Sequence, residues 1–366
     1  MKLKVTQENL NKALSVVSRV AVSRTPTLPI LANILIKADK NLITVSSTNL
    51  EIATTVRVAG KITEPGSITV PARLISEFVA NLPDETIDME LNNQSLIIKS
   101  KQYKSTINGI SAEEFPSLPT ISKNTHLTIP SAKLKGALSQ TVFAASNDEA
   151  RQVLTGVFMT VIDGELFLVA TDSYRLAEKS IGKNDHEIKV LIPSSAMQDL
   201  ARIIQDNSGD IDIYVDESQV QFSCGDVELI SRLIDGNFPD YKQLIPANGE
   251  VTLTINKEDF INITKVSSLF ARESAGSITL DVSEEKQEVS IRSIASQVGD
   301  NTSKASAKIK GEGDVTLNSR YLLDALNAFK SDSITMYFTG KTSPCVLRSA
   351  DAKQADYQHI VMPLRS

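Results

Sequence analysis

The sequence predicts an α+β protein made of three repeats of one domain, each with two helices packed on antiparallel sheet. Three observations predict it. A strand followed by an amphipathic helix opens each third of the 366-residue chain. A second strand–helix pair recurs inside each third, and alternating apolar–polar strands follow it.

The openings are Leu3-Lys4-Val5-Thr6-Gln7-Glu8-Asn9-Leu10, Leu127-Thr128-Ile129-Pro130-Ser131-Ala132-Lys133-Leu134 and Leu253-Thr254-Ile255-Asn256-Lys257-Glu258-Asp259-Phe260. Val5, Ile129 and Ile255 correspond, at spacings of 124 and 126 residues. Thr6, Ser131 and Asn256 stand where helix N-caps belong, with a side-chain oxygen able to accept from first-turn amides. The helices that follow are apolar on one stripe: Leu10, Leu14 and Val17; Leu134, Leu138 and Val142; Phe260, Ile263 and Phe270. The second pair begins at Thr69-Val70-Pro71-Ala72-Arg73, Leu191-Ile192-Pro193-Ser194-Ser195 and Thr316-Leu317-Asn318-Ser319-Arg320. Its buried faces align as Ile75, Phe78, Val79, Leu82; Met197, Leu200, Ala201, Ile204; and Leu322, Ala325, Leu326, Phe329. Strands at Ile87–Leu91, Ile211–Val215 and Ile334–Phe338 come next, and each third closes on a proline-marked segment. The expected domains are residues 1–124, 125–248 and 249–366.

Composition fits a folded chain, with 41% hydrophobic and 22% charged residues. No apolar run approaches the ~18 residues that span a bilayer, and the N-terminus has no signal-peptide core, so a cytoplasmic protein without membrane contact is expected. Cys224 and Cys345 stand far apart with no C-x-x-C, which reads as two reduced, half-buried thiols.

A reactive constellation is not visible. His126, His186 and His359 lie in unrelated contexts and read as surface histidines. Gly340-Lys341-Thr342 lacks the glycine that a phosphate-binding loop needs five residues earlier, where Thr335 stands, and reads as a hairpin turn. Gly311-Glu312-Gly313-Asp314 completes no dinucleotide fingerprint. Glu113-Glu114 and Glu284-Glu285 fall in polar loops, and Asp210 and Asp212 lie on or beside an alternating strand. No catalytic residue, cofactor or metal site is therefore expected. A metal-dependent nuclease, with carboxylates converging from several strand ends, stays open as an alternative.

Four motifs carry a resemblance. Arg24-Thr25-Pro26-Thr27-Leu28-Pro29-Ile30-Leu31-Ala32-Asn33, Ala170-Thr171-Asp172-Ser173-Tyr174-Arg175-Leu176-Ala177, Asp235-Gly236-Asn237-Phe238-Pro239-Asp240-Tyr241 and Val361-Met362-Pro363-Leu364-Arg365 resemble, in order, segments of the bacterial DNA polymerase III beta subunits, the sliding clamps. The likeness runs from end to end of the chain. It implies a non-catalytic processivity factor for DNA replication and repair: three DNA-clamp domains, with a head-to-tail homodimer closing six domains into a ring around double-stranded DNA. It places Leu269 and Phe270 at the dimer junction, with Ile107 as partner. It also implies a groove between domains 2 and 3 that takes short linear peptides from the replicative polymerase, the clamp loader and repair proteins. The matching positions are Thr171, Arg175, Leu176, Pro239, Leu244, Met362, Pro363, Leu364 and Arg365, with Arg151, Leu154, Asn318 and Tyr321 on the rim. The chain departs from the family pattern at Ser173-Tyr174 (commonly Gly-His), Val153, Gln243 and Pro344. A three-domain scaffold that does not encircle DNA is the remaining rival.

A net charge of −6 speaks against a nucleic-acid binder taken alone. The six predicted helices nonetheless sum to +4, leaving −10 on the remainder. Helices lining a hole would give such a chain a mildly basic bore, and loose, sequence-blind phosphate contacts suit a ring held by topology. Arg24, Lys12, Arg73, Lys133 and Arg202 are the expected DNA-facing residues.

Overall fold

The structure, a computed structural model, describes residues 1–22, 28–122, 125–204, 209–295 and 299–364. Among them are six α-helices, two per repeat: α1 (Gln7–Val22), α2 (Ala72–Ala80), α3 (Ser131–Thr141), α4 (Ser194–Ile203), α5 (Lys257–Phe270) and α6 (Ser319–Ala328). The three opening strands bury equivalent pairs, Leu3 with Val5, Leu127 with Ile129, and Leu253 with Ile255, none more than 3% exposed.

The expected caps are met at two of three places. Asn256 Oδ1 accepts from the Glu258 and Asp259 amides, and Thr6 Oγ1 from the Asn9 amide at 3.3 Å. Ser131 is instead the first residue of α3, because Pro130 ends the preceding strand and the Ser131 amide is taken by the Gly209 carbonyl. The stripes of α1 and α3 are buried as expected. In α5, Phe260 and Ile263 are buried, while Phe270 is half-buried at the helix end.

Contacts group the chain into two units, Met1–Ala132 with Gln198–Leu233, and Lys133–Met197 with Ile234–Ser366. The second repeat contributes to both. In the first unit, Val227–Ser231 pairs antiparallel with Ile52–Val56, joining strands of two repeats into one eight-stranded sheet. A separate five-stranded sheet has Tyr103–Asn108 at one edge. Helices α1 and α2 pack together, and Leu10, Leu14, Val17, Ile75 and Val79 share a core with both sheets. Each such aliphatic side chain, taken from water, contributes about 1.5–3 kcal/mol.

The second unit repeats the device. Arg175–Lys179 pairs antiparallel with Tyr357–Val361, fusing four strands of the second repeat to five of the third in a nine-stranded sheet. A four-stranded sheet with Gly299–Ser306 at its edge packs under α5. The Gly340 segment is the expected hairpin turn, with Gly340 at φ 63° between the paired strands Ser333–Phe338 and Cys345–Ser349.

Two readings are corrected. His359 is fully buried, since in Tyr357–Val361 it shares the inward side with Tyr357 and Val361. Both thiols are buried, not half-buried, and burial pushes the Cys345 thiol well up. His126 and His186 are exposed as expected.

Candidate functional site

The turn Thr171–Arg175 and the strand that follows it organise a surface on the second unit. Thr171 Oγ1 donates to the Arg175 carbonyl at 2.6 Å and accepts from the Ser173 amide at 3.1 Å. Asp172 Oδ1 accepts from the amides of Tyr174 and Arg175, both at 2.9 Å. These four bonds hold Ser173 at φ 77°, in the left-handed region. A glycine here, which the resemblance leads one to expect, would take that φ without strain. Tyr174, beside it, is 56% exposed.

Arg175 turns inward. Its guanidinium donates to Asp172 Oδ2 (3.1 Å), Asp324 Oδ2 (2.6 Å) and the Phe143 carbonyl (2.7 Å). It lies 4.7 Å from the ring centre of Tyr321 and 5.4 Å from that of Phe143. A buried guanidinium is tolerated only with such pairing. On the other side Phe143 stacks on His359, with ring centres 5.6 Å apart. His359 Nδ1 meets the Tyr357 hydroxyl at 3.0 Å. Burial, and then the Arg175 charge, push the His359 imidazole down to about 3, so it is neutral at any ordinary pH. Burial and the Asp172 charge raise the Tyr321 phenol.

The chain end runs over this turn. The Met362 amide donates to the Tyr174 carbonyl and the Leu364 amide to the Thr316 carbonyl, both at 2.8 Å, leaving Met362, Pro363 and Leu364 half-buried. Leu176 is buried in a cluster with Phe158, Phe238, Tyr241 and Ile360, and Phe158 stacks on Phe238 at 4.8 Å. Pro239 is exposed beyond Phe238, and Leu244 is 62% exposed. Gly236 precedes them at φ 123°, where a Cβ would stand 2.7 Å from Val153 Cγ1. The motif needs glycine there on both counts.

Of the other expected groove residues, Leu154 is buried, and Arg151 is exposed with Nη1 donating to Ser173 Oγ at 3.0 Å. Asn318 caps α6, accepting from the Arg320 and Tyr321 amides, so its first role is structural. Arg365 lies outside the described residues. Sequence reasoning missed Phe143, Asp172, Asp324 and His359. Only Asp172 stood in a quoted motif.

Among the expected DNA-facing residues, Lys12 of α1 and Arg202 of α4 line one cleft of about 380 Å³ in the first unit. Arg19 and Arg57, not singled out beforehand, line it too. Lys12 is paired with Glu8 at 2.6 Å and Arg202 with Asp199 at 3.3 Å. Arg73 is exposed on α2, bonded to Glu77 at 2.9 Å, and Lys133 is exposed on α3. Arg24 lies outside the described residues.

For the expected dimer junction, Leu269 is 56% exposed at the end of α5, with Val266 exposed one turn earlier. Ile107 is 4% exposed, opposite Leu96 in the core of the first unit. Among the described residues, the large apolar side chains its repeat offers to solvent are Leu28, Leu42, Leu50, Leu74 of α2 and Tyr103 of the edge strand.

Comparison with known proteins gives a consistent picture. The N-terminal, central and C-terminal domains of the DNA polymerase III beta subunit match residues 1–119, 128–240 and 242–365. The beta sliding clamp of Bacillus subtilis (strain 168) is 32% identical, with 100% of each chain covered. That of Synechococcus elongatus is 34% identical over 100% of this chain and 99% of its own. A crystal structure of the B. subtilis DNA polymerase sliding clamp aligns with a TM-score of 0.94 at 32% identity, covering 100% of this chain and 99% of that one. The Pseudomonas aeruginosa sliding clamp bound to griselimycin aligns with a TM-score of 0.94 at 26% identity over 100% of both chains.

Proposed function

The chain belongs to the family of DNA polymerase III beta subunits, the beta sliding clamps, and from that premise we propose how its surfaces are used. Its function is that of the family, a processivity clamp in DNA replication that performs no catalysis. Its partners are DNA and the polymerase. We read the three domains as residues 1–124, 125–248 and 249–366, and two copies as joined head to tail in a closed ring around duplex DNA. The observation that carries the reading is three domain matches in consecutive order along the whole chain, on a fold that uses one strand–helix plan three times.

At the ring junction, Leu269 and Phe270 of one copy meet the other copy's first domain. Exposed Leu74 supports this better than enclosed Ile107 does. The edge strands Tyr103–Asn108 and Gly299–Ser306 each have one unpaired side that a partner strand could satisfy. The bore is lined by helices, with Lys12, Arg73, Lys133 and Arg202 toward phosphate. Short linear peptides of the polymerase, the clamp loader and repair proteins dock on the Arg175 surface. There Leu244, Pro239, Met362, Pro363 and Leu364 offer apolar contact, while Thr171, Arg175, Leu176, Leu154, Asn318, Tyr321 and Arg151 shape the walls. In this reading the protein works in the cytoplasm. Among the described residues, no helix is long and apolar enough to cross a membrane.

The test is topological. Protein loaded by its clamp loader onto nicked circular plasmid is separated from free protein by gel filtration, before and after one restriction cut. A ring stays on the circle and slides off the cut ends. Equal retention on circular and linear DNA would show ordinary surface binding and end the reading.

A further inference from the structure

We propose that Asp324 is a positioning residue of the peptide groove, holding Tyr321 and the Thr171–Arg175 turn in one arrangement through the Arg175 guanidinium. The inference rests on the reading of this surface as the groove.

The structure contains its own control. In the first repeat, Thr48 Oγ1 donates to the Ile52 carbonyl at 3.0 Å and accepts from the Leu50 amide at 3.0 Å. Asn49 Oδ1 accepts from the Glu51 and Ile52 amides at 3.0 and 2.7 Å. Leu50 sits at φ 75°, against 77° for Ser173. The four bonds of the groove turn are thus reproduced one for one, and the residue in the place of Arg175 is Ile52, an apolar side chain 3% exposed. The turn forms without a guanidinium. Burying one in the second repeat must serve something other than the turn.

The contacts say what. Asp172 spends Oδ1 on the turn amides and Oδ2 on Arg175 Nε, so it belongs to the turn. Asp324 belongs to α6 in the third repeat and takes Arg175 Nη1. Tyr321 lies three residues before it, on the same helical face, with its ring against the same guanidinium. Arg175 therefore ties the turn to α6 in the second unit, with Asp324 as the charged end of the tie. The Asp324 side chain is 35% exposed, so it can be changed without opening a core cavity.

Binding of a synthetic peptide carrying the clamp-binding segment of the cognate replicative polymerase is measured by calorimetry for wild type, Asp324→Asn, Asp324→Glu and a groove marker, Leu244→Glu, alongside thermal melting. Removing the charged end of a tie that orders a binding wall should weaken affinity about tenfold, within the usual range of coupling between linked sites. Asp324→Asn should show that loss with little change in melting temperature, and Asp324→Glu should recover most of it. Unchanged affinity in Asp324→Asn overturns the positioning role and leaves the groove standing. Loss shared equally by Asn and Glu and tracking the melting temperature marks a merely structural residue and overturns it too. No binding by wild type, or full binding by Leu244→Glu, defeats the groove reading itself and the inference with it.

Discussion

Lowering the pH should strain this protein at one residue, His359. Its imidazole is fully buried between Phe143 and Tyr357, and burial together with Arg175 holds it at about 3, against an ordinary 6.5. The unfolded chain binds this proton below 6.5 and the folded chain only near 3. The stability that neutral His359 preserves is complete above 6.5 and is lost as pH falls from there toward 3. At pH 5 the loss comes to about 2 kcal/mol. Other groups titrate over the same range, so the informative quantity is a difference. His359→Gln keeps a polar group beside the Tyr357 hydroxyl and removes the titration. Urea denaturation at pH 7.5 and 5.0, followed by circular dichroism, should show wild type losing about 2 kcal/mol more than the variant across that interval. Equal losses would refute the reasoning and mean that His359 takes up its proton in the folded state as easily as in the unfolded one.

Gly236→Ala meets both a φ of 123° and Val153 Cγ1 at 2.7 Å, and should destabilise by about 1–3 kcal/mol, read as a lowered denaturation midpoint. Leu269→Glu places a charge in the proposed apolar junction. Light scattering after gel filtration should show monomer at concentrations where wild type is dimeric, and an unchanged dimer would move the junction elsewhere. Arg202→Ala should reduce the log–log salt slope of duplex binding by about 1 if that side chain neutralises one phosphate. An unchanged slope would remove Arg202 from the bore.

Local pattern and nonlocal pairing were unequally legible in the sequence. The repeat was readable because Val5, Ile129 and Ile255, with the helices behind them, obey short-range rules of alternation and helical period. Asn256 and Thr6 cap as their chemistry dictates, while Ser131 enters its helix because Pro130 ends the strand before it. The pairings of Val227–Ser231 with Ile52–Val56 and of Arg175–Lys179 with Tyr357–Val361 join residues 171 to 186 positions apart, and no local signal announces them. In the site, the motif residues were found by resemblance. Their mechanical support was not, since Asp324 and Phe143 reach Arg175 from distant elements. His359 could have been read better. Its strand, Tyr-Gln-His-Ile-Val, alternates with Tyr357 and Val361 on its own side, which argues for burial over exposure. Ile107 had no such signal, since Ser105 and exposed Tyr103 share its side of the strand.

The closed ring is the central claim, and negative-stain electron microscopy of the purified protein tests it most directly. Class averages should show six-lobed particles around a central hole. Open or compact three-lobed particles, persisting at concentrations well above the dimer dissociation constant, would contradict it.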